Sequence, residues 1–469
     1  MRRKVFTILL VLIFTFIPVA ALADGFVTLP PSASSTTSPP SINAEGAMLV
    51  DLDTNTILYS KNADAQCYPA SLTKMMTLLI SFENCKDPNT ETITVPKESL
   101  ELPADSSLAY IQTGDIITVE DMFYAMMLPS GNDAAVALAM HFGTSISGFV
   151  DMMNKKAQEL NMTGTHFENP DGLHSAQHYT TPRDLATLSI ELTKHPELIA
   201  VTSATSYSVH ATRGGQQIEW KVLNTNGMIN STNTEYLAGV KGLKTGYTIP
   251  AGNCLATYYE KNGRRMVCVI TKTGANHDRS DDTKKLYAYG LDNFSTLNLT
   301  DVFSNRTYIV KVDNYATDDE FNGQLELYLT KGDPVYYTTS KQLANKIIGG
   351  TDPLMVQMPA GLIAPVSIGA VAGTITFSIN GEQLYVAQAK ASRTIEANII
   401  IPPDLTPIDG ISKSHTFDFI KQPKVYIPII VVFALTILIY GVYLVRRRRN
   451  RRIIHRQCNV FGRTRYKRK

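Results

Sequence analysis

Three short segments of this 469-residue chain carry the side-chain types that acyl transfer uses. The first is Ser71-Leu72-Thr73-Lys74. A serine hydroxyl is a weak nucleophile until a neighbouring base takes its proton. Positions i and i+3 share a helix face, so Lys74 can stand beside Ser71 at a helix start. The partial positive charge of a helix N-terminus disfavours an ammonium there, which would leave a neutral lysine able to act as base. The second segment is Ser130-Gly131-Asn132, after Pro129 and between two expected helices. A turn there can aim a hydroxyl and an amide into one cleft, one to pass a proton and the other to bind a substrate amide. The third is Lys244-Thr245-Gly246, on a strand that opens the stretch Lys244–Thr257. Lys244 adds positive charge near Lys74, Lys244 and Thr245 can receive a carboxylate, and Gly246 lets a substrate backbone approach the strand edge. Each segment alone has a bland reading: a helix cap followed by a surface lysine, an interhelix turn, a polar strand tripeptide.

The elements that must position these groups follow from periodicity and capping. Two apolar runs within Ala47 to Ser60, around Asp53-Thr54-Asn55, predict a β-hairpin. Leu72, Met75, Met76, Leu79 and Ile80 recur at helical spacing and predict a core helix over about 71–83. A capping box of Thr118 and Asp121 opens another helix, ended by Pro129. A third starts at Thr181, with Pro182 in its first turn and Asp184 three residues past the cap, a position that accounts for Asp184 without a catalytic role. Strands are expected from Tyr207 to Lys221 and from Gly239 to Thr273. Strand, helices, strands is the order of an α+β domain, here 43–297, with an antiparallel sheet and helices. Beyond it, 298–402 holds short β-rich runs at 307–312, 324–329, 373–379 and 384–389, with Asn380-Gly381 as a turn, and reads as a small all-β sandwich.

The two ends read as targeting and anchoring segments. Residues 1–23 open with Arg2, Arg3 and Lys4, run apolar from Val5 to Val19 and close on Ala21-Leu22-Ala23, the pattern of a secretory signal peptide. Residues 24–42, rich in Pro, Ser and Thr from Leu29, read as a flexible leader. After a proline-containing spacer at 403–424, residues 425–445 carry no charged side chain and are long enough to cross ~30 Å of hydrocarbon as a transmembrane helix. Arg446, Arg447, Arg448, Arg449, Arg451 and Arg452 follow, which places the tail, 446–469, in the cytoplasm and the rest outside. The net charge of +2 hides a split: the tail holds twelve Lys or Arg and no acid, whereas 24–445 hold 29 bases and 42 acids. The tail's expected neighbour is anionic lipid, not nucleic acid. Cys254 and Cys268 flank the Asn262-Gly263 hairpin signal. That register sets Cys268 opposite Thr257, on the other face from Cys254, so no bridge between them is expected.

Wider contexts surround the three segments: Pro69-Ala70-Ser71-Leu72-Thr73-Lys74-Met75-Met76-Thr77, Met127-Leu128-Pro129-Ser130-Gly131-Asn132-Asp133-Ala134-Ala135, Asn169-Pro170-Asp171-Gly172-Leu173 and Gly242-Leu243-Lys244-Thr245-Gly246-Tyr247-Thr248. With S-x-x-K, S-x-N and K-T-G in that order, the chain resembles the low-molecular-mass penicillin-binding proteins, the serine-type D-alanyl-D-alanine carboxypeptidases, over about Ile42 to Ile401. The resemblance implies a penicillin-binding/β-lactamase-like transpeptidase domain followed by the β-sandwich domain. It makes Ser71 the acylated nucleophile, Lys74 its base, Ser130 a proton relay, Asn132, Thr245, Gly246 and Tyr247 substrate-binding, and Lys244 an electrostatic anchor. The backbone N–H groups of Ser71 and Tyr247 would form the oxyanion hole. No metal or cofactor is implied. The substrate would be the bond between the terminal D-alanines of a peptidoglycan stem peptide, and a β-lactam would acylate the same serine. With the signal and the span, the expected location is the outer face of a bacterial plasma membrane, single-pass. Family members commonly end in an amphipathic helix instead, so the anchoring differs.

Two other readings stay open at this level. A serine β-lactamase shares the acylation machinery and needs a deacylation base; Glu168 has suitable spacing from Ser130, although the E-x-x-x-N loop of class A enzymes is absent. A non-enzymatic β-lactam sensor would need a partner to read out binding. A metal peptidase is a weaker alternative, because His174 and His178 lack the glutamate of H-E-x-x-H and sit between Gly172 and Pro182.

Overall fold

The computed structural model describes residues 25–28, 37–351 and 353–398. The expected signal peptide, spacer, transmembrane span and basic tail lie outside the described residues. Among the described residues no single helix is long and apolar enough to cross a membrane.

The central sheet forms where apolar residues occupy both faces of a strand. Its order is Val27–Thr28, Thr56–Lys61, Gly46–Asp51, Arg264–Thr273, Gly252–Lys261, Val240–Thr248. The pairs are antiparallel except for Val27–Thr28, which lies parallel on Thr56 and Ile57. Successive side chains feed two cores. Met48, Val50, Cys254, Ala256, Val267 and Val269 pack with the helices Lys74–Asn84, Val119–Met127, Asn132–Gly143 and Pro182–Thr193. Ala47, Leu49, Leu255, Met266, Cys268 and Ile270 pack against Leu286 and Tyr287 of the helix Asp278–Asn293. Cys268 pairs with Thr257, as expected, and both Cys254 and Cys268 are free thiols on opposite faces.

Capping behaves as the sequence implies. The Thr118 hydroxyl accepts the Asp121 N–H at 3.1 Å, and the Thr181 hydroxyl accepts the Asp184 N–H at 3.1 Å with Pro182 leading the helix. Periodicity does not predict the helix Asp278–Asn293, because eight polar or charged residues precede its first apolar one, Leu286. Its position is set by the sheet face it covers. A second sheet joins Thr92–Thr94, Ile116–Thr118, Ser206–Arg213 and Gln216–Leu223.

The second β-rich part is a five-stranded antiparallel sheet, ordered Tyr308–Lys311, Gln324–Leu329, Glu382–Ala391, Val371–Ile379, Leu354–Gln357. Asn380 and Gly381, with φ of 51° and 87°, make the turn their types require. The all-β expectation is corrected here: helices Leu299–Ser304 and Lys341–Gly349 contribute Leu299, Phe303, Leu343 and Ile347 to the same core. At 6 and 9 residues they are too short to display a convincing helical period. A buried carboxylate joins this part to the central sheet. Asp51 accepts the Thr338 hydroxyl at 3.1 Å, the Thr296 hydroxyl at 2.9 Å and Arg264 Nη2 at 3.2 Å.

Candidate active site

Ser71 sits in a one-turn 3-10 helix, Ala70–Thr73, that runs into the helix Lys74–Asn84. Ala70 before it has φ of 48°, a left-handed backbone that a side chain rarely adopts. Gly172 lies directly against this turn: a Cβ there would stand 1.9 Å from the Ala70 carbonyl oxygen. The three-residue spacing brings Lys74 Nζ to 3.1 Å from Ser71 Oγ. Nζ also donates to Asn132 Oδ1 at 2.7 Å and to the Asp171 carbonyl at 2.7 Å.

Lys74 is fully buried and its pKa is lowered to about 8. The cause is burial, against which Asp171 and Asp133 pull upward. Desolvation, rather than the helix terminus expected from the sequence, is the largest cause. A neutral amine has two N–H donors and one lone pair. With Asn132 and Asp171 taking the two N–H groups, the lone pair is left for the Ser71 hydroxyl proton.

Ser130 has φ of 65° in the turn between the helices Val119–Met127 and Asn132–Gly143. Its buried hydroxyl has no hydrogen-bond partner among the described residues. Asn132 opens its helix, and its N–H donates to the Ser107 carbonyl at 2.8 Å. Ser71, Ser130, Asn132, Thr245, Gly246 and Tyr247 all line one cleft of about 910 Å³. Lys74 bonds to two of these from just beneath the surface, and buried Lys244 lies close enough to Lys74 to feel its charge.

Lys244 lies close enough to Lys74 for the two amines to repel, as expected. It is 1% exposed, and its amine donates to the Thr245 carbonyl at 3.0 Å. Burial, then repulsion from Lys74 and Arg279, holds the Lys244 pKa well below the ordinary lysine value. Gly246 is likewise explained from the other side. A Cβ would meet Leu72 Cδ1 at 2.8 Å and the Pro69 carbonyl oxygen at 3.1 Å, so its smallness serves the packing of the strand on the nucleophile's turn.

Two site residues escape sequence reasoning. The backbone of Asp171 supplies the third partner of Lys74, within a loop where Asn169 accepts the Gly172 N–H at 2.7 Å and donates to the Leu173 carbonyl at 2.8 Å. Arg279 reaches the cleft from the helix that lacks an apolar period. Among the described residues its Nη1 has distant backbone acceptors, Gly246 and Cys254 at 3.5 Å each, and burial lowers its pKa. Glu168, by contrast, is exposed, accepts the Ser175 hydroxyl and does not line the cleft. The Asp184 carboxylate accepts the Gly164 N–H at 2.9 Å and the Thr165 hydroxyl at 2.6 Å, tying down a loop.

A family model described as D-alanyl-D-alanine carboxypeptidase matches residues 33–274, a span that holds all three motifs. The chain belongs to this family. A D-alanyl-D-alanine carboxypeptidase, DacF, of Bacillus subtilis is 29% identical over 402 residues, covering 84% of this chain and 95% of the relative. The D-alanyl-D-alanine carboxypeptidase of Streptomyces sp. strain K15 is 30% identical over 58% of this chain and 94% of its own. Among solved structures, penicillin binding protein 5 from Haemophilus influenzae superposes with a TM-score of 0.55 at 26% identity, covering 77% of this chain and 99% of that one. The family is that of serine D,D-carboxypeptidases among the low-molecular-mass penicillin-binding proteins, so the chain is a serine peptidase.

Proposed function

We propose that the chain removes the terminal D-alanine from peptidoglycan stem pentapeptides through an acyl-enzyme on Ser71. The observation that carries this is the saturation of Lys74 by Asn132 and Asp171, which leaves its lone pair for Ser71, 3.1 Å away. Ser71 Oγ attacks the carbonyl of the penultimate D-alanine while Lys74 Nζ takes its proton. The N–H groups of Ser71 and Tyr247 hold the oxyanion, and the leaving amine receives its proton from Lys74 by way of Ser130. Thr245 and the Arg279 guanidinium receive the terminal carboxylate. Water then resolves the ester. A β-lactam acylates the same hydroxyl, and the outward placement of Glu168 supports slow release of that adduct.

The test is release of D-alanine from a pentapeptide by the full-length protein. Release that is lost in Ser71→Ala supports the reading; release that survives this change sinks it. A fluorescent penicillin should give a long-lived adduct, whereas rapid turnover would point to a β-lactamase. The signal-like residues 1–23 and the uncharged stretch 425–445 with its arginine tail support location on the outer face of a bacterial plasma membrane. Fractionation with protease accessibility checks that location.

A further inference from the structure

The loop 166–180 passes beneath the nucleophile's turn and touches it repeatedly. Cys67 and Thr180 exchange backbone bonds at 2.8 and 2.9 Å, Thr77 Oγ1 donates to the Pro170 carbonyl at 2.6 Å, and Asp171 supplies its carbonyl to Lys74. One side chain joins the two ends of this loop to the turn. His178 is 2% exposed, with Nδ1 3.1 Å from the Glu168 nitrogen and Nε2 2.8 Å from Thr73 Oγ1. A backbone N–H can only donate, so Nδ1 accepts from Glu168 and carries no proton. The proton of the neutral ring is then on Nε2, which donates to Thr73. Thr73 is one of the two residues between Ser71 and Lys74, and neither reaction step uses it.

We propose that His178 is a positioning residue for acylation: its neutral ring spans from the Glu168 backbone to the Thr73 hydroxyl and locks the Ser71–Lys74 turn onto the loop that supplies the Asp171 carbonyl. This rests on the reading of Ser71 as nucleophile and Lys74 as base. Burial, with His166 and His174 nearby, lowers the His178 pKa to about 4, so the ring stays neutral at working pH. The other titratable groups around it are consistent with that state. The Glu168 carboxylate is engaged by Ser175, His166 Nδ1 is bonded to the Gln177 carbonyl, His174 packs edge-on against Tyr68, and Lys74 and Asp171 adjoin the turn. A protonated ring would set an N–H against the Glu168 N–H and open the brace.

The experiment compares His178→Gln, Thr73→Val, their combination, and Thr73→Ser in the full-length protein. The readouts are the second-order rate of acylation by a fluorescent penicillin from pH 6 to 10, and thermal unfolding. Loss of the brace should slow acylation ~10- to 100-fold in either single variant, the scale seen when an orienting partner of a reactive group is removed. The double variant should be no slower than the worse single one, because both remove one contact. The pH midpoint should move up towards that of an ordinary lysine as Lys74 loosens, and Thr73→Ser should restore the rate. Folded variants with the original rate and midpoint, or losses that multiply in the double variant, would overturn the brace. Ser71→Ala is run in parallel. An adduct in that variant would instead show that the nucleophile reading is at fault.

Discussion

A Cβ on Gly246 would lie 2.8 Å from Leu72 Cδ1, so the K-T-G strand and the turn that carries Ser71 are fitted together by a missing side chain. The strand Val240–Thr248 and the turn Ala70–Thr73 come from opposite ends of the domain. Gly246→Ala should cost ~1–3 kcal/mol by overpacking and slow acylation by pushing Ser71 away from Thr245 and Tyr247. Urea unfolding and penicillin labelling measure the two effects. A variant with unchanged stability and rate would contradict this fit.

Acylation should follow the neutral fraction of Lys74. Its pKa is lowered to about 8, so the rate should climb tenfold per unit below pH 8 and level off above it. The direction follows from base catalysis: the protonated ammonium has no lone pair for Ser71. Lys74→Ala should lower the plateau by ~10²- to 10⁴-fold and abolish the climb. Stopped-flow labelling across pH distinguishes this from a flat profile.

Arg279 should matter for recognition more than for the hydroxyl's reactivity. Its guanidinium lines the cleft and, among the described residues, makes backbone contacts at 3.5 Å. Loss of a charged hydrogen bond to a substrate carboxylate costs ~1.5–3 kcal/mol, so Arg279→Gln should reduce kcat/KM by about 10- to 100-fold. A pentapeptide ending in an amide should lose far less on the same substitution. Equal losses on both substrates would remove the carboxylate from the argument.

Asp133 holds the segment Ala109–Ile111 beside the start of its own helix. Its buried carboxylate accepts the N–H groups of Ala109 at 2.8 Å, Ile111 at 3.3 Å and Ala134 at 2.9 Å. Burial raises its pKa, although those amides pull it down. Asp133→Ala leaves several amides without an acceptor, which should destabilise the fold by ~2–5 kcal/mol. It should also loosen Ser106 and Ser107, which line the cleft. Hydrogen exchange of residues 105–111 reads that loosening directly.

His178 ties stability to acid. Its folded pKa of about 4 lies below the ordinary value of 6.5, so the unfolded chain binds more protons between those limits. Stability from this group should therefore be present above pH 6.5 and decline as pH falls towards 4. His178→Gln should flatten that decline in a melting-temperature series, and an unaltered slope would argue against it.

Much was legible before any fold was known, because the signals are local. S-x-x-K needs only the helical repeat to bring Lys74 to Ser71, Thr118 and Thr181 cap through bonds three residues long, and Asn262-Gly263 sets its own hairpin register. Alternation alone separated Cys254 from Cys268. Tertiary structure decided the rest. The partners that orient Lys74 lie 58 and 97 positions away, Arg279 comes from a helix with no apolar period in its first half, and the glycine of the K-T-G answers to Leu72. The lowered pKa values of Lys74 and Lys244 are likewise products of burial. Periodicity and capping are properties of neighbours along the chain, whereas desolvation and non-local contact exist only once distant segments have packed together.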